Sequence, residues 1–376
     1  MKKEICWIGL CIAPLLLAAC GSAGGGSPVA SVPVITNSSV AVNSSSISSS
    51  SASGVAASAV SSVANLHFVK GADVSWISEM ENSGRNFYNK AGVKEDLLQI
   101  LKEQGMNAVR LRVWVNPVDS YNTITDVLAK AQRVKAAGMK LMIDFHYSDS
   151  WADPGKQTKP MAWAGYTVDQ LAAAVADHTR NSLIILRDAG VTPDWVQVGN
   201  ETSDGMLWDE GRASTNMKNY ARFVASGYDT VKEIFPTALV IVHLDNCFDN
   251  NLYQWNIGGL KDNGGKFDVI GASAYPTYRN GSTWQATNTQ CLANLNDMVA
   301  RYNVPVMIVE VGAPWDSADA KAIVADLIAK VRSVNNNQGS GIFYWEPESY
   351  NNWKGYNLGA FDNSGKPAAA MDAFLE

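Results

Sequence analysis

Met139-Lys140-Leu141-Met142-Ile143-Asp144-Phe145-His146 is an apolar run, Lys140 apart, that turns polar at its C-terminal end. Such a run suits a strand covered on both faces, the environment of a parallel sheet. A helical pattern, Thr125–Ala137, precedes it and stops at Gly138. Another, Val168–Ala189, follows and stops at Gly190. The same unit recurs along the chain. Further runs are Phe68–Val74, Asn107–Trp114, Asp194–Glu201, Leu239–Asn246, Phe267–Tyr275, Pro305–Val311 and Gly341–Glu346. Further helical patterns are Val93–Glu103, Thr215–Ile234, Leu292–Tyr302 and Ala318–Val334. Eight strand–helix units within residues 66–376 predict a (β/α)8 TIM barrel, an α/β fold. An open doubly wound sheet is the alternative. It lacks its usual signal, because no Gly-rich phosphate loop follows the first strand.

The ends of these runs carry the functional signal. They hold Asp73, Arg110, Arg112, Asp144, His146, Asn200, Glu201, His243, Asp245, Tyr275, Glu310, Trp345 and Glu346. In a barrel such ends converge on one face, where active sites lie. A charge buried there is costly unless paired, so a ring of them points to a built site. Two of the apolar strands end in Glu201 and Glu310. On the fourth and seventh strands these carboxylates face each other across the mouth. Opposed carboxylates are the working parts of glycoside hydrolysis. Glu201 would protonate the leaving oxygen, and an ionised Glu310 would attack the anomeric carbon. Arg110 and Tyr275 would support Glu310, and Asn200 would bond the sugar's 2-hydroxyl. Asp144, His146, His243 and Asp245 suit hydroxyl recognition better than a metal, so no metal or cofactor is expected. No Gly-x-Ser-x-Gly elbow occurs.

Composition agrees with a sugar-processing protein. The chain has 376 residues, 47 % hydrophobic, with 30 Lys+Arg against 36 Asp+Glu. That supports a sizeable core and gives no basic stripe for nucleic acid. Sugar rings stack their C–H faces on aromatic rings. Trp76, Trp114, Trp151, Trp163, Trp208, Trp315, Trp345 and Trp353 lie at or just past strand ends. Trp195 lies inside a strand and reads as core.

The N-terminus reads as an export signal. Lys2 and Lys3 precede an apolar run from Ile5 to Ala19, too short to span a bilayer. Leu17-Ala18-Ala19-Cys20-Gly21 resembles a bacterial lipobox, which makes residues 1–19 a signal peptide and Cys20 a lipidated anchor. Gly21 after the Cys leans to the outer membrane. Residues 20–65 then form a flexible Ser-rich linker; positions 21–64 hold 16 Ser and no charged side chain. Residues 66–376 form a single catalytic domain, and nothing demands more than a monomer. Cys247 and Cys291 are equally readable as a disulfide or as two buried thiols.

Several segments together resemble the endo-β-1,4-galactanases, glycoside hydrolase family fifty-three of clan A. They are Gly71-Ala72-Asp73-Val74-Ser75, Asn107–Trp114, Ile143-Asp144-Phe145-His146-Tyr147-Ser148-Asp149-Ser150-Trp151-Ala152-Asp153-Pro154, Gly199-Asn200-Glu201, His243-Leu244-Asp245-Asn246, Val309-Glu310 and Phe343-Tyr344-Trp345-Glu346-Pro347. The Asp144–Pro154 stretch is specific to that family, whereas Asn-Glu alone marks the clan. The resemblance implies a retaining endo-hydrolase of β-1,4-galactan, the side chains of pectin. It implies Glu201 as acid–base, Glu310 as nucleophile, and Arg110, Asn200 and Tyr275 in support. Asp144, His146, His243, Asp245 and Asn246 would line sugar subsites, with Trp151, Trp208, Trp315, Trp345 and Trp353 as stacking surfaces. The loop from Glu348 to Leu358 looks shorter than the extended final loop of some relatives. Another clan activity, cellulase or mannanase, and a non-catalytic glycan-binding lipoprotein are the competing readings.

Overall fold

A computed structural model describes residues 68–376 of the chain. The expected signal peptide, Cys20 and the whole Ser-rich segment lie outside the described residues. Eight parallel strands close into a barrel in chain order. They are β1 (Val69–Asp73), β2 (Ala108–Val113), β3 (Lys140–Phe145), β4 (Trp195–Val198), β5 (Leu239–Leu244), β6 (Val269–Ala274), β7 (Val306–Val311) and β8 (Gly339–Trp345). β8 pairs back with β1, Asp73 opposite Trp345. The TIM barrel expected from the sequence is the fold.

The surrounding helices are α1 (Ile77–Asn82), α2 (Leu97–Glu103), α3 (Ile124–Ala136), α4 (Val168–Asp188), α5 (Ala213–Ile234), α6 (Asn250–Asp262), α7 (Trp284–Tyr302) and α8 (Ala320–Arg332). Their starts follow from capping. Thr123 accepts from the Asp126 N–H, and Thr167 and Gln170 form a reciprocal capping box. Two differences from the sequence reading stand out. Helix α6 has no counterpart among the expected patterns, because its two glycines and three asparagines weaken the local signal. It forms because Asp249 caps it and Tyr253, Ile257 and Leu260 are buried. Helix α7 begins eight residues before the expected Leu292, at the cap Thr283. Cys247 and Cys291 form a disulfide, which ties the segment after β5 to α7.

The lumen is filled in layers. Alternate residues point inward. The lower layers are apolar, built of Val69, Ala108, Met142, Trp195, Ile241, Val269, Met307, Val309 and Phe343. Trp195 is core, as read from sequence. Packing is tight enough that Gly71 is obligatory: a Cβ there would come within 2.4 Å of the Phe343 ring. Two to four residues further up the same strands the lumen turns polar, and that layer forms the site.

Candidate active site

Arg110 is the hub of the upper layer. It follows Ala108 by two residues on β2, so it also points inward, and it is 1 % exposed. Its Nη1 donates to Asp73 at 2.8 Å and pairs with Glu310 at 3.0 Å. Its Nη2 reaches Asp144 at 2.9 Å and Asn200 at 2.8 Å. One guanidinium therefore serves three buried carboxylates, and its planar fork has the donors to do so. Its own proton is held more firmly than usual by those charges, although burial opposes this.

Glu310 reaches the lumen through a bulge. Met307 and Val309 already point inward, so strict alternation would turn Glu310 toward the helices. The register of β7 slips against both neighbours at this point. Ala272 pairs with Ile308 but Ser273 with Glu310, and on the other side Ile342 pairs with Ile308 but Tyr344 with Val311. One extra residue in β7 re-aims the side chain. There Tyr275 donates its hydroxyl to Glu310 at 2.9 Å. Burial pushes the Glu310 carboxyl up to about 7, while Arg110 and the Tyr275 hydroxyl pull it down.

Glu201 comes from the turn after β4 and sits in the left-handed region, at φ 44°. That conformation is uncommon for a non-glycine residue and needs support around it. The support is present. Its N–H donates to His243 Nδ1 at 3.3 Å, and Gln157 Nε2 donates to the Asn200 carbonyl at 2.8 Å. The Asn200 side chain is clamped by donating to the Ala152 carbonyl at 2.8 Å. Ser273 donates to Glu201 Oε1 at 2.6 Å. Burial, and then the negative charge of Glu310, hold the Glu201 carboxyl well above the usual range. Among the described residues, no cation reaches Glu201 as Arg110 reaches Glu310. A proton shared by the two therefore resides on Glu201, and Glu310 is the member that ionises.

The remaining residues singled out from sequence divide into two groups. His146 borders the site, bonding Asp144 at 3.0 Å and accepting from the Ala152 N–H at 3.1 Å. Asp245 accepts from Ser203, and its charge is among those that raise Glu201. Asn246 lies beside it, bonding Asp245. Trp151 and Trp345 lie 5.8 Å apart in one aromatic cluster with Trp76, Trp114 and Tyr356. Asp144 and His243, by contrast, are 0 % exposed and bond protein groups. These bonds hold them within the buried polar layer. Trp208 and Trp353 pack against arginines, Arg212 at 3.6 Å and Arg85 at 4.1 Å from the ring centroids. Trp315 is half-buried in the loop after β7.

Sequence reading overlooked two members of the layer. Gln197 links Arg110, Asp144 and His243. Ser273 links His243 and Glu201. Both sit two residues above inward-facing core positions, Trp195 and Gly271. A polar residue at such a period-2 position was the available signal.

A parallel eight-stranded barrel with two unlike carboxylates at the C-terminal mouth defines a barrel glycosidase. Comparison with known proteins makes this specific. Residues 69–374 match Glycosyl hydrolase family 53, and the chain belongs to that family. An arabinogalactan endo-beta-1,4-galactanase of Humicola insolens is 34 % identical over 81 % of this chain and 98 % of its own. An endo-beta-1,4-galactanase of Bacillus subtilis is 31 % identical, covering 75 % of this chain and 70 % of its own. Among solved structures, a fungal beta-1,4-galactanase superposes with a TM-score of 0.76 at 32 % identity, over 82 % of this chain and 99 % of that one.

Proposed function

We propose that the protein is an endo-β-1,4-galactanase that cleaves galactan side chains of pectin with retention. Membership of the family and the galactanase names of its relatives support the activity. The observation that carries the mechanism is the asymmetry of the two carboxylates. Glu310 is held between a guanidinium and a phenol, which favour its ionised form. Glu201 is buried and faces the Glu310 charge, which together favour its protonated form over the opposing pull of the one serine hydroxyl it accepts.

The steps follow from this. Glu310 attacks the anomeric carbon as Glu201 passes its proton to the departing glycosidic oxygen. A covalent glycosyl-enzyme results. Glu201, now ionised, takes a proton from water; that water attacks the anomeric carbon and Glu310 leaves as a carboxylate. Asn200, clamped by Arg110 and Ala152, is positioned for the sugar 2-hydroxyl. The Trp151–Trp345 cluster supplies apolar faces for sugar rings.

The test is a reducing-sugar assay on linear β-1,4-galactan, cellulose, mannan and xylan, with products sized and their first-formed anomer read by NMR. Rapid viscosity loss and β-anomeric galacto-oligosaccharides from galactan alone are expected. Hydrolysis of cellulose or mannan instead would overturn the substrate. An α-anomeric first product would overturn retention.

The same proposal includes export and attachment to the cell envelope as a monomer, through lipid on Cys20. The lipobox-like Leu17–Cys20 and the uncharged Ser-rich segment support it. Labelled palmitate should enter the wild type and not Cys20→Ala, and the wild type should fractionate with outer membrane.

A further inference from the structure

We infer that Ser273 is a positioning residue for the acid–base carboxyl: anchored by His243, its hydroxyl occupies Glu201 Oε1 and keeps the transferable proton on Oε2. The inference rests on the reading of Glu201 as acid–base.

Three contacts make a chain. His243 Nε2 lies 2.8 Å from Ser273 Oγ, and Ser273 Oγ lies 2.6 Å from Glu201 Oε1. At the other ring nitrogen, Gln197 Nε2 lies 3.1 Å and the Glu201 N–H 3.3 Å from His243 Nδ1, and both donate; Asn200 Oδ1, also 3.1 Å away, already accepts from Arg110 at 2.8 Å, whereas the Glu201 N–H can only donate. Gln197 is oriented by its own Oε1, which accepts from Arg110 at 3.2 Å. Nδ1 is therefore the acceptor of a neutral imidazole, and Nε2 carries the hydrogen. The ring stays neutral because it is buried, and because Arg110 and His146 lie close. His243 Nε2–H donates to Ser273 Oγ, which leaves the serine hydrogen for Glu201 alone.

That direction has a consequence for catalysis. Ser273 and His243 are 1 % and 0 % exposed, so neither touches the sugar. Among the described residues, no other side chain hydrogen-bonds the Glu201 carboxyl. With Oε1 occupied as acceptor, the acid proton lies on Oε2. When Oε2 gives it to the leaving oxygen, the serine contact becomes charge-assisted and strengthens. Ser273 also pairs with Glu310 across β6 and β7, so one residue ties the two carboxylates in register.

The experiment compares two aryl β-1,4-galactobiosides on the full-length protein. A dinitrophenolate departs without protonation, whereas a phenolate needs the acid. The readout is kcat/KM, which reports glycosylation only. Ser273→Ala should lose about tenfold on the phenyl substrate, a fraction of the ~10²–10⁴ that acid catalysis supplies, and under about threefold on the dinitrophenyl one. Equal losses on both would overturn the inference and leave Glu201 in its role. Glu201→Ala is the control and should show a far larger split. If it shows none, the acid–base reading itself falls, and this inference with it. Should Ser273→Ala fail to fold, Ser273→Cys keeps the volume and a weak donor. It should give an intermediate split, and an unchanged one would overturn the proposal.

Discussion

The lower and upper layers of the barrel lumen stand on the same strands, two to four residues apart, and obey opposite physics. Val69, Ala108, Trp195 and Ile241 fill the lower lumen, and their burial stabilises the fold. Asp73, Arg110, Gln197 and His243 stand directly above them, equally buried but polar. Their burial is tolerated only because each is bonded to its neighbours. The difference separates stability from activity along a single set of strands. Below, substitution should damage folding and leave chemistry intact. Above, it should damage chemistry and can even relieve the fold.

The catalytic pair gives the largest expected contrast. Glu310→Ala and Glu201→Ala should each lose at least about 10³-fold in polymer hydrolysis, about 4 kcal/mol of barrier, while remaining folded by circular dichroism. Azide should restore turnover of an activated substrate in Glu201→Ala, because its nucleophile is intact. Near-normal galactan turnover by either variant would discard the assignment. The lower layer should answer differently. Trp195→Ala is expected to destabilise by about 3–5 kcal/mol in urea while kcat per folded molecule stays within about threefold. A larger drop in kcat would erase the separation of layers.

The disulfide lies outside both layers and closes a separation of 44 residues. Its loss in Cys247→Ser/Cys291→Ser should cost about 2–4 kcal/mol, read as a lower melting temperature with KM unchanged. The subtlest test is the sign of a stability change. Because Glu310 binds its proton more tightly when folded, with a folded value of about 7 against a usual 4.5, stability falls as pH rises through that window. Glu310→Gln removes that slope. It should match the wild type near pH 4 and exceed it by about 3 kcal/mol above pH 7. A wild type more stable at pH 8 than its variant would show that the Arg110 contact outweighs burial.

Much of this molecule was legible in one dimension. Apolar runs ending in charge, with capped amphipathic helices between them, specified eight strands and their mouth. Glu201 and Glu310 were legible for the same reason, since each ends such a run. Local chemistry suffices there, because strand burial and helix caps act over a few residues. Helix α6 escaped because its stability comes from burying Tyr253, Ile257 and Leu260, not from propensity. His243 and Asp144 were legible as site residues, yet only closure of the barrel buries them in one hydrogen-bonded layer. The pairing of Cys247 with Cys291 depended on where α7 packs. The orientation of Glu310 was hidden most deeply. Alternation along β7 alone turns it away from the site, and only pairing with β6 and β8 creates the bulge that turns it inward. Sequence by itself determined the elements and the residue types at the mouth. Tertiary structure decided which groups touch, because register and pairing are set by partners far away in the chain.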